Sequence, residues 1–252
     1  MSEFAGRTAL ITGAASGIGL AAAQRLAGDG IAELVLVDLD QAGLEAVDPP
    51  CRIRRYCGDV ADEALWDRIE REVAHIDFAA LNAGIADSAP IPEIDLAGWR
   101  RILSTNLDGM MLSLRFAMRR MLPASAGSVV MTASISGLKA EPGTAAYAAS
   151  KAAVIQLARV AAREAAPHKV RVNAIAPGGV DTPIWDSVPM FREFVAQHGG
   201  RDQAIAAMGQ LATPLGRYAS ADEIAGQIAF LLSDSAASIT GTVLVSDGGY
   251  SL

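Results

Sequence analysis

A chain of 252 residues with 51% hydrophobic and 19% charged side chains has enough apolar surface to bury a core, which excludes a disordered protein. The 21 basic and 28 acidic residues give a formal charge of −7, and the basic ones gather only as Arg54-Arg55, Arg100-Arg101 and Arg119-Arg120. Such pairs are too short to track phosphates, so nucleic acid is not an expected partner. Cys51 and Cys57 lie far from the three histidines, His75, His168 and His198, so no metal site is expected. The cysteines read as packing residues of a reducing compartment. No apolar run reaches the roughly 20 residues of a membrane span. The segment before the first strand carries Glu3 and Arg7 where a signal sequence would be apolar. The expectation is a soluble, cytoplasmic protein with no membrane partner.

Short β-branched or leucine-rich runs alternate with helical patterns along the chain. Strands are predicted at 8–11, 34–37, 52–56, 78–81, 128–132, 170–175 and 243–246. Helices are predicted at 18–27, 41–47, 63–73, 99–121, 145–165 and 222–232, each with apolar residues at three- and four-residue spacing. This is the order of βαβ units, giving one α/β domain over residues 1–252. The expected architecture is a single-domain Rossmann fold, a seven-stranded parallel sheet with helices on both faces. Residues 182–214 break the rhythm and hold Trp185, Met190, Phe191, Phe194 and Met208. They read as a partly helical substrate lid in preference to a subunit contact.

The first strand runs into Thr12-Gly13-Ala14-Ala15-Ser16-Gly17-Ile18-Gly19 and then a helix. Glycines there allow a tight turn and bring backbone N–H groups to a pyrophosphate at the helix N-terminus. Asp38 ends the second strand, where a carboxylate accepts hydrogen bonds from the adenosine ribose; the alternative is a helix cap beside Asp40. Further on, Tyr147 and Lys151 are four apart in a helical pattern, hence on one face. An ammonium about 4 Å from a phenol would favour the phenolate by roughly three pKa units at an effective dielectric near 20.

Taken together, these motifs resemble those of the short-chain dehydrogenases/reductases of the compact, non-extended type, over nearly the whole chain. Thr12 to Gly19, with Gly13, Ser16, Gly17 and Ile18, matches the family's Thr-Gly-x-x-x-Gly-x-Gly loop. Asp59-Val60 matches its adenine-contacting pair, and Asn82-Ala83-Gly84 most of its Asn-Asn-Ala-Gly turn. Pro177-Gly178 through Val180 and Thr182 matches the segment that holds the nicotinamide carboxamide, and Asn106, Ser134, Tyr147 and Lys151 match the catalytic tetrad. Leu81 departs from the turn's first Asn, for which a local stability effect is expected.

The resemblance implies Tyr147 as general acid/base and Ser134, not the neighbouring Ser136, as the group orienting the substrate oxygen. Lys151 would lower the tyrosine pKa and hold the nicotinamide ribose, and Asn106 would position a relay water. It also implies a homotetramer built on the helices at 99–121 and 145–165. Substrate-pocket positions are Ile85, Ser136, Glu141, Gly179, Trp185 and Met190, although Glu141 before Pro142 reads more simply as a solvated loop residue. Asp38 and the absence of a basic residue at Ala15 point to NAD, and the function expected is hydride transfer between NAD and a secondary alcohol or ketone. The alternatives are an NADPH-dependent 3-oxoacyl reductase and a non-catalytic dinucleotide-sensing protein.

Overall fold

The computed structural model describes residues 3–252. Seven parallel strands form the central sheet: β1 (Thr8–Thr12), β2 (Glu33–Asp38), β3 (Arg52–Cys57), β4 (Phe78–Leu81), β5 (Gly127–Thr132), β6 (Val170–Pro177) and a last strand, Val243–Ser246. Their order is β3-β2-β1-β4-β5-β6 followed by the last strand. The chain works outward from β1 to β3, then returns to β4 on the other side. The reversal opens a crevice beyond the carboxyl ends of β1 and β4, the place where open α/β sheets bind ligands.

Alternation along the strands sends side chains to two separate cores. Leu10, Val35, Val37 and Met131 face one side, against α3 (Glu63–Glu72), α5 (Gly109–Ala124) and α6 (Ala145–Ala165). Ala9, Ile11, Leu34, Leu36 and Val130 face the other, against α1 (Gly17–Gly28), α2 (Gln41–Ala46) and α9 (Ala221–Leu232). Strands covered on both faces need no polar side, which is why they read as continuous apolar runs.

The structure corrects three expectations. The helix predicted at 99–121 is interrupted: α4 (Leu96–Leu103) begins where the Asp95 carboxylate accepts the Gly98 N–H at 2.6 Å, and a wide π turn at Ser104–Asp108 separates it from α5. Buried Ile102, Met110, Leu114 and Met121 keep helix-compatible spacing across the wide turn, so periodicity alone hides it. It turns Asn106 fully inward.

The lid segment is more ordered than predicted. It folds into α7 (Pro189–His198) and α8 (Arg201–Ala212), joined at Gly199 and Gly200, whose φ values are +77° and +146°. Phe191, Val188, Ala204 and Ile205 bury themselves between these helices, with Trp185, Phe194, Met208 and Tyr218 packed around them. Arg201 ties α8 to the segment leading into α7, through Asp181 at 2.7 Å and Asp186 at 3.1 Å. Two short strands, β7 (Val180–Asp181) and β8 (Ala219–Ser220), close its base, so the sheet's last strand is β9 (Val243–Ser246). Third, Cys51 is half-buried and Cys57 exposed, so only the former packs. Among the described residues no helix is long and apolar enough to cross a membrane.

Candidate active site

The glycine loop follows directly from β1. Gly13 adopts φ +67°, and a Cβ on Gly19 would stand 1.9 Å from the Gly13 carbonyl oxygen, so no other residue fits there. Ser16 precedes α1 without capping it through its side chain, and the first turn holds no acidic residue. The first N–H groups of α1 therefore face the crevice unneutralised, as a pyrophosphate requires. Thr12 Oγ1 accepts the N–H groups of Asn82 at 2.9 Å and Ala83 at 3.1 Å, fixing the turn after β4 against the loop. Leu81, in place of the family's asparagine, is fully buried in the core.

Asp38 is oriented by two backbone donors. Its Oδ2 accepts the Ala15 N–H at 2.9 Å and its Oδ1 the Asp40 N–H at 3.0 Å. Helix α2 is capped by Asp40, whose side chain accepts the Gly43 N–H at 3.1 Å, so the capping alternative for Asp38 falls away. Asp59 accepts the Ala61 N–H at 2.9 Å, and Val60 is buried beside it.

At the other end of the crevice, α6 presents Tyr147 and Lys151. Tyr147 shares a hydrogen bond with Ser134, which caps the turn after β5 by accepting the Ser136 N–H at 3.1 Å. Lys151 is buried, donates from Nζ to the Thr132 carbonyl at 2.9 Å, and lies 5.6 Å from the centroid of the Tyr147 ring. The acidity balance differs from the sequence expectation. Burial pushes the Tyr147 phenol above its ordinary range, opposed by the Ser134 hydrogen bond, and burial brings the Lys151 ammonium down to about 8. Desolvation dominates both shifts.

Asn106 sits behind this pair. Its Oδ1 accepts the Ile85 N–H at 2.8 Å, while Nδ2 donates to the Ile85 carbonyl at 2.9 Å and to Ser150 Oγ at 3.2 Å. Ser150 in turn donates to the Tyr147 carbonyl at 2.6 Å, which links the π turn to α6. A Cβ on Gly84 would approach Asn106 Oδ1 at 3.2 Å and Lys151 Nζ at 3.3 Å, so this glycine keeps the two close.

One cavity of about 610 Å³ runs from Asp38 to the α7–α8 unit. It is lined by the sequence-proposed cofactor residues apart from Gly19, which lies behind Gly13, and by all six substrate positions. Asn106 does not reach it. Gly179 serves mainly to admit the Tyr218 ring, which a Cβ there would meet at 2.2 Å. Sequence reasoning missed Tyr218 and Tyr250. Tyr218 stacks on Trp185 with centroids 5.7 Å apart, and Trp185 Nε1 donates to the Val180 carbonyl at 2.8 Å. Tyr250 comes from the C-terminal turn, which Asp247 holds by accepting the N–H groups of Gly249 and Ser251.

Burial of Lys151 has a measurable cost. With a folded pKa of about 8 against 10.5 for the free group, the native state binds fewer protons than the unfolded one between those values. Stability therefore rises with pH through that window, and the full penalty, about 3 kcal/mol, applies below it. Lys151→Met is expected to melt higher than the wild type at pH 7 while losing activity, with the gain shrinking above pH 8. Thermal unfolding at several pH values measures this; a lower melting temperature at pH 7 would contradict it.

A family model described as enoyl-(acyl carrier protein) reductase matches residues 13–251. The chain is 39% identical over 260 residues to the cis-4-hydroxycyclohexanecarboxylate dehydrogenase of Sinomonas cyclohexanicum, covering 98% of this chain and 97% of that one. The crystal structure of levodione reductase superposes with a TM-score of 0.89 at 36% identity over 98% of both chains. That of NAD+-bound xylitol dehydrogenase does so with a TM-score of 0.87 at 33% identity, over 98% of this chain and 99% of that one. With the sheet order and the crevice just described, these likenesses place the chain in the short-chain dehydrogenase/reductase family, oxidoreductases acting on alcohols and ketones.

Proposed function

We propose that the protein is an NAD-dependent dehydrogenase of secondary alcohols, or the matching ketone reductase, with Tyr147 as general acid/base. The observation that carries this reading is the convergence of Ser134, Tyr147 and Lys151 on one cavity whose far end is the glycine loop and Asp38. The loop fits a dinucleotide, since Gly13, Gly17 and Gly19 leave no side chain where its backbone must approach. Gly13, Ser16, Gly17 and Ile18 would hold the pyrophosphate, Asp38 the ribose, Asp59 and Val60 the adenine, and Asn82, Gly84, Pro177, Gly178 and Thr182 the nicotinamide half. The bound nicotinamide supplies the hydride acceptor or donor.

The protein's own groups then handle position and protons. Ser134 donates to the substrate oxygen and orients it beside Tyr147. In the oxidation direction Tyr147 Oη takes the alcohol proton, and in reduction it returns one to the ketone oxygen. Lys151, still protonated at neutral pH, favours the phenolate and steadies the site from the Thr132 carbonyl. Asn106, with all its polar atoms committed to Ile85 and Ser150, acts by fixing the 85 turn and the catalytic helix. The α7–α8 unit roofs the substrate end.

NAD is favoured over NADPH because Lys151 alone among the cavity-lining residues is a lysine or arginine. A structure solved with NAD+ among the similar proteins supports the same choice. Met111 on α5 and Val160 on α6, large apolar groups 40% and 44% exposed, would be covered in the homotetramer. The direct test of the reading is turnover with NAD+ and a panel of cyclic, aromatic, steroid-like and polyol alcohols, followed by the absorbance of reduced nicotinamide. Reduction of NAD+ by a secondary alcohol is expected; none with any of them would overturn it.

A further inference from the structure

Away from the reacting end, the cavity is roofed by Ile85, Ile184, Trp185, Val188, Met190 and Met208. Into this apolar wall project two polar groups that the mechanism does not use, Glu141 and Tyr250. Burial, and then the neighbouring Glu141 carboxylate as acceptor, holds the Tyr250 phenol protonated well beyond the ordinary tyrosine range. Lys139 braces the pair from behind: its Nζ stands 3.6 Å from Glu141 Oε1, donates to the Tyr250 carbonyl at 2.9 Å and lies 3.8 Å from the Tyr250 ring centroid. The turn carrying Tyr250 is itself fixed, because Asp247 packs where a Cβ on Gly178 would meet it at 2.8 Å. Glu141 is thus a positioned wall residue, with its side chain 35% exposed, and not the freely solvated loop glutamate that its place before Pro142 suggests.

We infer that Glu141, held by Tyr250, reads a second hydroxyl on the substrate, so that the enzyme selects uncharged diols and polyols over simple alcohols and hydroxy acids. The inference rests on the dehydrogenase reading of the site and deepens it. A carboxylate only accepts hydrogen bonds, at about four lone-pair positions on two oxygens. Tyr250 and Lys139 leave some of them for a hydroxyl donor. A substrate lacking that donor would displace water from the remaining acceptor positions of the carboxylate without replacing its hydrogen bonds, which a site built for hydrogen bonding rejects. A substrate carboxylate meets a worse environment: the charged residues lining the cavity are Asp38, Asp59, Asp87, Glu141 and, as the one cation, Lys151 at the reacting end.

Matched substrates test this. Rates of NAD+ reduction are compared for cyclohexanol, the cyclohexanediols and 4-hydroxycyclohexanecarboxylate, and for 2-butanol against 2,3-butanediol. In the wild type the best diol is expected to exceed its mono-alcohol in kcat/KM by about 10–100-fold, the worth of one charge-assisted hydrogen bond, and the hydroxy acid to fall below the diol. Glu141→Leu is expected to erase most of that diol-to-alcohol ratio, and Tyr250→Phe part of it. Glu141→Gln, which keeps an acceptor oxygen and the shape, is expected to retain a reduced ratio and to improve the hydroxy acid. A ratio unchanged by Glu141→Leu or Glu141→Gln, or a wild type preferring the hydroxy acid, overturns the assignment while leaving the dehydrogenase reading intact. Failure of the wild type on every alcohol overturns that reading itself.

Discussion

Tyr147→Phe is expected to reduce turnover by about 10²–10⁴-fold, the usual contribution of a general acid/base, while NAD binding survives. Phenylalanine keeps the ring that fills this part of α6 and removes only the Oη that shares a hydrogen bond with Ser134. The backbone frame is untouched, since Ser150 reaches the Tyr147 carbonyl and Lys151 the Thr132 carbonyl without the phenol. Burial raises the phenol's pKa, so at neutral pH it is the protonated form that dominates. The alcohol-oxidation rate of the wild type should therefore climb with pH as the phenolate population grows, and the reduction rate should fall over the same range. Lys151→Ala, which removes an ammonium charged only up to about pH 8, should lower the oxidation rate most at neutral pH, where that charge favours the phenolate. Steady-state kinetics give the turnover, and quenching of Trp185 fluorescence on titration with NAD+ gives the binding. Near-full activity in Tyr147→Phe would remove this residue from the proton path.

The contrast between Tyr147 and Tyr250 shows what a sequence makes visible. Tyr147 stands four residues before Lys151 on one helix, so local spacing announces it, and the glycine loop is equally local to the β1–α1 junction. Asp38 was legible because strand ends in a parallel sheet converge on the same crevice. The split of the 99–121 helix was not, because Ile102, Met110, Leu114 and Met121 keep helix-compatible spacing across the π turn that holds Asn106. Nor were the partners of Glu141, since Tyr250 lies more than a hundred residues further along and arrives through a C-terminal turn set by Asp247. The segment at 182–214 was legible as a break in the βαβ rhythm. Its two helices were missed because Phe191, Val188 and Ile205 pack chiefly against each other, and so show no long stripe facing the sheet. The acidity of Tyr147 and Lys151 was misjudged for a related reason: spacing gives their separation but not their burial, and burial decides the shift.

NAD is expected to exceed NADP in kcat/KM by 10²-fold or more, and Asp38 is the reason. The adenosine ribose of NAD offers two hydroxyl donors to a carboxylate. NADP replaces one of them with a phosphate bearing close to two negative charges. Loss of a charge-assisted hydrogen bond costs roughly 1.5–3 kcal/mol, and like-charge repulsion adds to it. The Asp38 carboxylate is held in place by the Ala15 and Asp40 N–H groups, so it does not swing away to relieve that repulsion. A rescuing cation is the only route to NADP, and arginines distant in sequence that could fold toward the phosphate are engaged elsewhere. Arg7 pairs with Asp77 at 2.7 Å, and Arg54 with Glu33 at 2.6 Å. Arg55 donates to the Leu44 and Val47 carbonyls, while Leu39, next to Asp38, is 72% exposed and uncharged. Asp38→Ala should therefore narrow the preference mainly by weakening NAD, with only a modest gain for NADP. Asp38→Ala combined with Leu39→Arg, which supplies the missing cation, should reverse the preference. Equal kcat/KM values for the two cofactors in the wild type, or an NADP preference unmoved by Asp38→Ala, would take Asp38 out of the ribose site and restore the case for a biosynthetic reductase.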